Sequence, residues 1–243
     1  MNQNAAESLL RETNDFQGAR PVVDVTGMSS PRVCTLLNRL VASLPVGEHY
    51  LEVGTWRGLT LLSAASGNTG KVCIACDKFR FWGRFTGFGW RVRRAFEENL
   101  RRFRSRSAYI DFHHMTCERL FAEDRVQGPI GVYFFDGDHS YRGTRFGIAA
   151  AAPVLATRAI VLVDDWRHNE VRQGTRDGFS EAGLRVLWER ELIDGRNNQD
   201  GWWNGLGIFF VEKPARADVI GGVLPREGDA RAELGEQRQA RLA

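Results

Sequence analysis

Two groups of acidic residues carry the chemistry open to this sequence. Val132–Phe135 run without a break into Asp136, Asp138 and His139, and Ile160–Val163 run into Asp164 and Asp165. Apolar runs of this length read as buried strands. Carboxylates and an imidazole at such strand ends are costly unless they serve a ligand or one another. On neighbouring parallel strands the two ends converge. Four clustered carboxylates repel, so some pKa must rise or a cation must sit among them. Oxygen donors of this kind suit Mg²⁺ ahead of Mn²⁺ or Ca²⁺. On the competing reading, Asp138 and Asp165 cap the following helices and only Asp136 and Asp164 face the site. Adjacent strand residues point to opposite faces, so Asp164 and Asp165 share a site only if the strand has ended or bulged.

A second constellation lies in "LEVGTWRGLT", where Glu52, Gly54 and Gly58 surround a tight turn into a helix. Glycines let backbone approach a ligand, and a helix start offers free N–H groups. The spacing is GxxxG, with Trp56 in place of a middle glycine, which suits a dinucleotide pyrophosphate poorly. Simple helix–sheet packing is the alternative. Asp77 follows 25 residues after Glu52, where a carboxylate accepts both hydroxyls of a ribose or caps a turn. Met115–Glu118 place a small polar side chain, Thr116, where it could meet an adenine ring.

These residues need a scaffold, and the pattern supplies one. Strands are expected at 49–54, 71–77, 109–115, 130–136 and 159–166, separated by helical segments, with two final strands at 184–191 and 205–213. Ser30 and Pro31 mark a helix start with apolar residues at 33, 36, 37, 40 and 41. Alternating strands and helices with short connections give an α/β fold, a mostly parallel sheet covered on both faces. The last two strands have no helix between them and should pair antiparallel. The organisation read from this is a helical lead-in over 1–44, a core over 45–213 and a charged, mobile tail over 214–243. Within the core, the lid-like segment 78–94 has "FRFWGRFTGFGW", rich in aromatics and glycine.

The quoted turn, Asp77, "YFFDGDHSYRG" and "IVLVDDW" together resemble a class I S-adenosylmethionine-dependent methyltransferase. More narrowly, they are similar to the macrocin- and mycinamicin-type sugar O-methyltransferases. The resemblance covers about 45–213. It implies a Rossmann-like seven-stranded sheet of order 3-2-1-4-5-7-6, the last strand antiparallel. It also implies that Glu52, Gly54, Thr55, Trp56 and Gly58 line the methionine part of the cofactor, with Asp136 at the cofactor's edge. Asp77 would take the ribose and Thr116 the adenine side. Asp136, Asp164 and Asp165 would bind Mg²⁺, with His139 or Asp138 as general base and His168 as a third candidate. The implied reaction is methyl transfer to a hydroxyl of a small molecule, a sugar or natural product. The rivals are an RNA methyltransferase and a cofactor-binding protein without catalysis.

The bulk properties limit partners. The chain has 243 residues and a net charge of +3, with no apolar run long enough to cross a membrane. Its N-terminus lacks the basic and apolar regions of a signal peptide, so a cytoplasmic protein is expected. Residues 78–106 carry ten Lys/Arg and two Glu, +8, which leaves −5 elsewhere. With the remainder acidic and no appended RNA-binding module, a nucleic-acid partner is not expected. Trp202 and Trp203 are candidates for a homo-oligomer interface. Cys73 and Cys76 form a CxxC, but three positions along a strand puts them on opposite faces, so neither a metal nor a disulfide is expected.

Overall fold

The computed structural model describes residues 8, 22–80, 87–193 and 201–214. In chain order the elements are α1 (Pro31–Ala42), β1 (His49–Val53), α2 (Leu59–Ala65), β2 (Val72–Cys76), α3 (Phe88–Phe103), β3 (Tyr109–His113), α4 (Cys117–Ala122), β4 (Ile130–Phe135), α5 (Tyr141–Ala151), β5 (Leu155–Val163), α6 (Asn169–Glu181), β6 (Arg185–Leu192) and β7 (Leu206–Glu212). The strands form one sheet of order β3-β2-β1-β4-β5-β7-β6. The first five pair in parallel, and β7 runs antiparallel to both β5 and β6. This is the expected sheet.

The two faces of the sheet bury separate cores. On one, Leu36, Leu37 and Leu40 of α1, Leu61 of α2 and Phe96 of α3 pack on Tyr50, Val132 and Phe134. On the other, Leu120 of α4, Ile148 of α5 and Phe179 of α6 cover Tyr133, Phe135, Val161 and Phe209. β4 is buried along its whole length, as a central strand covered on both sides must be. Cys73 belongs to the first core and Cys76 to the second, and all four cysteines are free thiols.

Helix α1 starts as its sequence dictates. Ser30 accepts the Val33 N–H at its hydroxyl, Pro31 opens the first turn, and the apolar stripe 33, 36, 37, 40, 41 is buried. Strand β5 begins at Leu155, four residues before the expected start, and ends at Val163, three before the expected end. Its early end places Asp164 and Asp165 beyond the strand. Among the described residues, no helix is long and apolar enough to cross a membrane.

Two expectations change here. Phe79, read as a lid ring, is 5% exposed and packs against Phe96 and Phe112, with centroids 5.5 and 5.8 Å away. Trp202, read as an interface residue, is 6% exposed within the first core, with Arg32 over its ring. In both cases a large ring beside a sheet face is worth more buried than displayed. The centre of the lid-like segment, 81–86, most of the lead-in before residue 22 and the tail after Pro214 lie outside the described residues.

Candidate active site

The C-terminal ends of β1, β2, β3 and β4 open onto one cleft of about 540 Å³. Gly54, Asp77, Thr116 and Asp136 line it, with apolar walls from Val53, Cys76 and Met115. A smaller hollow of about 270 Å³ lies across the glycine turn, lined by Met28, Thr55, Trp56, Thr60 and Asp136 among others. Asp136 therefore borders both spaces.

The turn between β1 and α2 is fixed by close backbone contact. Gly54 has φ +89°, and a Cβ there would lie 1.9 Å from the Asp136 carbonyl oxygen. Both the conformation and the space exclude a side chain. Gly54→Ala is expected to lower unfolding free energy by about 3 kcal/mol or more. Urea denaturation measures this, and a loss within about 0.5 kcal/mol would show that the turn yields easily. Trp56 also sits at positive φ, 48°, with its ring 5.6 Å from that of Phe88 at the start of α3.

Asp77 ties this turn to β2. Its Oδ2 accepts the N–H groups of Thr55 (2.9 Å) and Trp56 (2.8 Å), and its Oδ1 accepts that of Phe79 (2.6 Å). A carboxylate has about four acceptor positions, so three backbone bonds leave it short of the free pair expected for two ribose hydroxyls. It remains on the cleft wall. Thr116 caps α4, its hydroxyl facing the Arg119 N–H at 3.4 Å, and also lines the cleft.

Glu52 departs further from expectation. It does not line the cleft; it is fully buried beneath the turn, bonded by the Tyr50 hydroxyl at 2.5 Å and the Thr60 hydroxyl at 2.7 Å. Burial raises its pKa from 4.5 to about 8, against the opposing effect of those two hydroxyls. A folded pKa above the unfolded one means the folded state holds the extra proton. This contribution to stability is full below pH 4.5 and is lost as pH rises through about 8. At ~1.4 kcal/mol per pKa unit the span is worth on the order of 5 kcal/mol. Glu52→Gln should show a much flatter stability from pH 5 to 9 than the parent. Parallel curves in denaturant titrations would remove Glu52 as the cause.

The acidic cluster lies at the ends of β4 and β5. His139 Nδ1 is 2.8 Å from Asp165 Oδ2, and Nε2 is a longer 3.3 Å from Asp136 Oδ1. Asp165 is in the left-handed conformation, φ 55°, which turns its carboxylate back toward His139. Burial disfavours charge on the imidazole, but Asp136 and Asp165 outweigh it and hold the pKa at about 10. Burial raises Asp136, partly offset by His139. Burial, then the charges of Asp136 and Asp165, pushes Asp164 well above the carboxylate range. Asp164 is 5% exposed, and its Oδ1 has no hydrogen-bond partner. Burial also opposes charge on Asp165, yet bonds from His139 and from Asn204 keep it below the usual range.

This arrangement is a poor fit for Mg²⁺. The imidazole already occupies the space between Asp136 and Asp165, and burial pushes the Asp164 carboxyl well above the usual carboxylate range, which disfavours the anion a metal would need. Among the described residues, no group of three His, Cys, Asp or Glu side chains is disposed around a common metal position. Nor does His139 suit a base: with a pKa near 10 it holds its proton at neutral pH. Asp138 is likewise drawn away. Its Oδ1 accepts the Ser140 N–H at 3.0 Å, which keeps its pKa low, and it forms the turn that opens α5. His168 is the exposed residue preceding α6, with no side-chain cap bond.

Asn204 was not anticipated. Its amide donates to Asp165 Oδ1 at 2.6 Å, and its carbonyl accepts the Arg167 N–H at 3.0 Å. β7 pairs beside β5, which brings the turn before β7 to the end of β5. The only sequence signal was a Gly/Asn/Asp-rich loop.

Comparison with known proteins agrees with the geometry. Residues 51–166 match a family described as a methyltransferase domain. An O-methyltransferase from Bacillus cereus, solved in complex with SAH, superposes with a TM-score of 0.54 at 16% identity, covering 85% of this chain and 91% of that one. The cofactor-bound Rv0187 from MTB gives 0.52 at 15% identity, covering 88% and 92%. TrmN from Thermus thermophilus gives 0.54 at 17% identity over 80% of this chain, which spans only 52% of that protein. No curated protein matches the sequence. The stretch 51–166 thus carries a match to a methyltransferase domain, on a sheet of the same order as expected and with its cleft at the strand ends.

Proposed function

We propose that the protein transfers a methyl group from S-adenosylmethionine to a hydroxyl of a small molecule, a sugar or natural product. The observation that carries this reading is Asp136, a half-buried carboxylate of raised pKa that borders both the cleft and the adjoining hollow. The residues present fit the donor. Asp77 and Thr116 offer polar contacts between apolar walls, and the Gly54 turn admits a ligand close to backbone. The Thr55 hydroxyl, buried without a partner, can meet a polar group in the smaller hollow. When bound, the donor supplies an electrophilic sulfonium methyl.

The chain's own residues must then orient the acceptor and take its proton. A carboxylate whose pKa is raised by burial is a better base than an ordinary one. Asp136 is assigned that role. His139 acts through it as a positioning residue: its positive charge fixes the Asp136 carboxylate and offsets the charge of Asp165. This assigns the base elsewhere than His139 or Asp138, the two residues the family resemblance implies.

Purified protein with methyl-labelled donor and a panel of glycosylated and phenolic acceptors provides the test. Label on an acceptor oxygen is the expected product. Tight donor binding with label only on nitrogen or carbon, or on no acceptor, would overturn the reading.

A further inference from the structure

The basic segment noted in the sequence forms a continuous outer face. Residues 88–109, from the first turn of α3 to the start of β3, hold seven arginines, no lysine and two glutamates, a net +5. Val92 and Phe96 are the buried residues of α3, so the charged side chains line its outward side. Near its start Trp90 is 64% exposed, with the Arg94 guanidinium 5.7 Å from its ring centroid. Glu97 and Glu98 pair with Arg93 and Arg94. Beyond them Arg101, Arg102, Arg104 and Arg106 follow without an intervening acid.

That run ends in a hollow of about 810 Å³ lined by Ser66, Arg102, Phe103, Ser105, Arg106 and Ser107. Its wall has two guanidiniums, three hydroxyls and no carboxylate. Arg102 reaches the exposed Asp24, and Arg104 and Arg106 have no ion pair among the described residues. The hollow sits at the turn into β3, on the edge of the sheet away from the methyl-transfer cleft. Along the helix, Arg102 lies twelve residues beyond Trp90, about 18 Å away.

Arginine in place of lysine suits forked bonding to phosphate and stacking on rings. An exposed tryptophan beside a basic track suits unpaired bases. We propose that the outer face of α3 and the turn after it bind single-stranded nucleic acid, phosphates in the Arg102/Arg106 hollow and a base on Trp90. The overall charge argued against such a partner, but the structure gathers the positive charge onto one side. This surface stands apart from the proposed methyl transfer and does not depend on it.

The test uses the full chain and a fluorescein-labelled single strand of roughly 10–16 nucleotides, with its duplex as comparison, read by anisotropy. Binding should prefer the single strand and weaken about tenfold or more between ~50 and ~200 mM salt. Replacing Arg102, Arg104 and Arg106 together by Gln should lower affinity about tenfold or more and reduce the salt slope by about 2. Trp90→Ala should cost about 5- to 100-fold. Donor binding and the melting profile should stay unchanged in both variants. Absence of salt-dependent binding, or parent-like affinity in the arginine variant, overturns the proposal. So does equal competition by polyglutamate with no effect of Trp90→Ala, which would assign the face to an acidic polypeptide.

Discussion

Asp136→Asn should lower kcat for methyl transfer by about 10²- to 10⁴-fold, the range a positioned proton acceptor supplies. The substitution keeps shape, and Asp136 holds its place through its backbone N–H to Val53 and its carbonyl against Gly54. Stability and donor affinity should therefore change little. Single-turnover transfer with labelled donor measures the chemical step, and calorimetry with the donor measures binding. A loss confined to donor affinity, with turnover intact at saturation, would make Asp136 a cofactor contact and return the base to another residue. Asp138→Ala is the internal comparison. Its carboxylate is used by the Ser140 N–H at the start of α5, so its removal should cost about 0.5–2 kcal/mol of stability and leave turnover within a few-fold.

The sheet was legible because its signals are strong and repeated. Apolar strands of five to nine residues alternate with helical segments, and the Ser30–Pro31 start of α1 is a local chemical signature. The strand ends were legible too, since Asp77, Asp136 and Asp164 each break an apolar run. What the sequence could not show was how those ends use their charges. Asp77 looks free on paper, yet three backbone N–H groups of turns 22 residues away and nearer take its lone pairs. Glu52 looks like a ligand residue, yet alternation along β1 points it into the core toward Tyr50 and Thr60. Asn204 lies 39 residues from its partner, and only the antiparallel insertion of β7 beside β5 joins them. Long-range polar pairing has no local period, so pattern reading does not reach it.

The same limit explains the reassigned base. Spacing placed four carboxylates and an imidazole together, and a cation among them followed from their repulsion. The structure supplies that cation from within the chain. Protonated His139 faces Asp136 and Asp165, while burial and the charges of those two carboxylates push Asp164 well above the usual carboxylate range. The cluster thus relieves its repulsion with an imidazolium of its own, set between Asp136 and Asp165.

His139→Ala removes that internal cation, and two effects should follow. The parent protein should transfer methyl groups at an unchanged rate in EDTA, because its carboxylates are already compensated. In the variant, Asp136, Asp164 and Asp165 face one another without a counter-charge, and a divalent ion becomes their cheapest neutraliser. Turnover should fall by about 10²-fold or more as Asp136 loses its partner, and stability by about 1–3 kcal/mol, allowing for the partial exposure of the ring. Mg²⁺ or Mn²⁺ should then raise the melting temperature of the variant and not of the parent. Thermal melts of both proteins with and without EDTA and added ion separate the cases. Parent activity abolished by EDTA and restored by Mg²⁺ would mean that His139 swings aside and the carboxylates bind metal after all. A variant that ignores divalent ions while losing turnover would confine His139 to positioning Asp136.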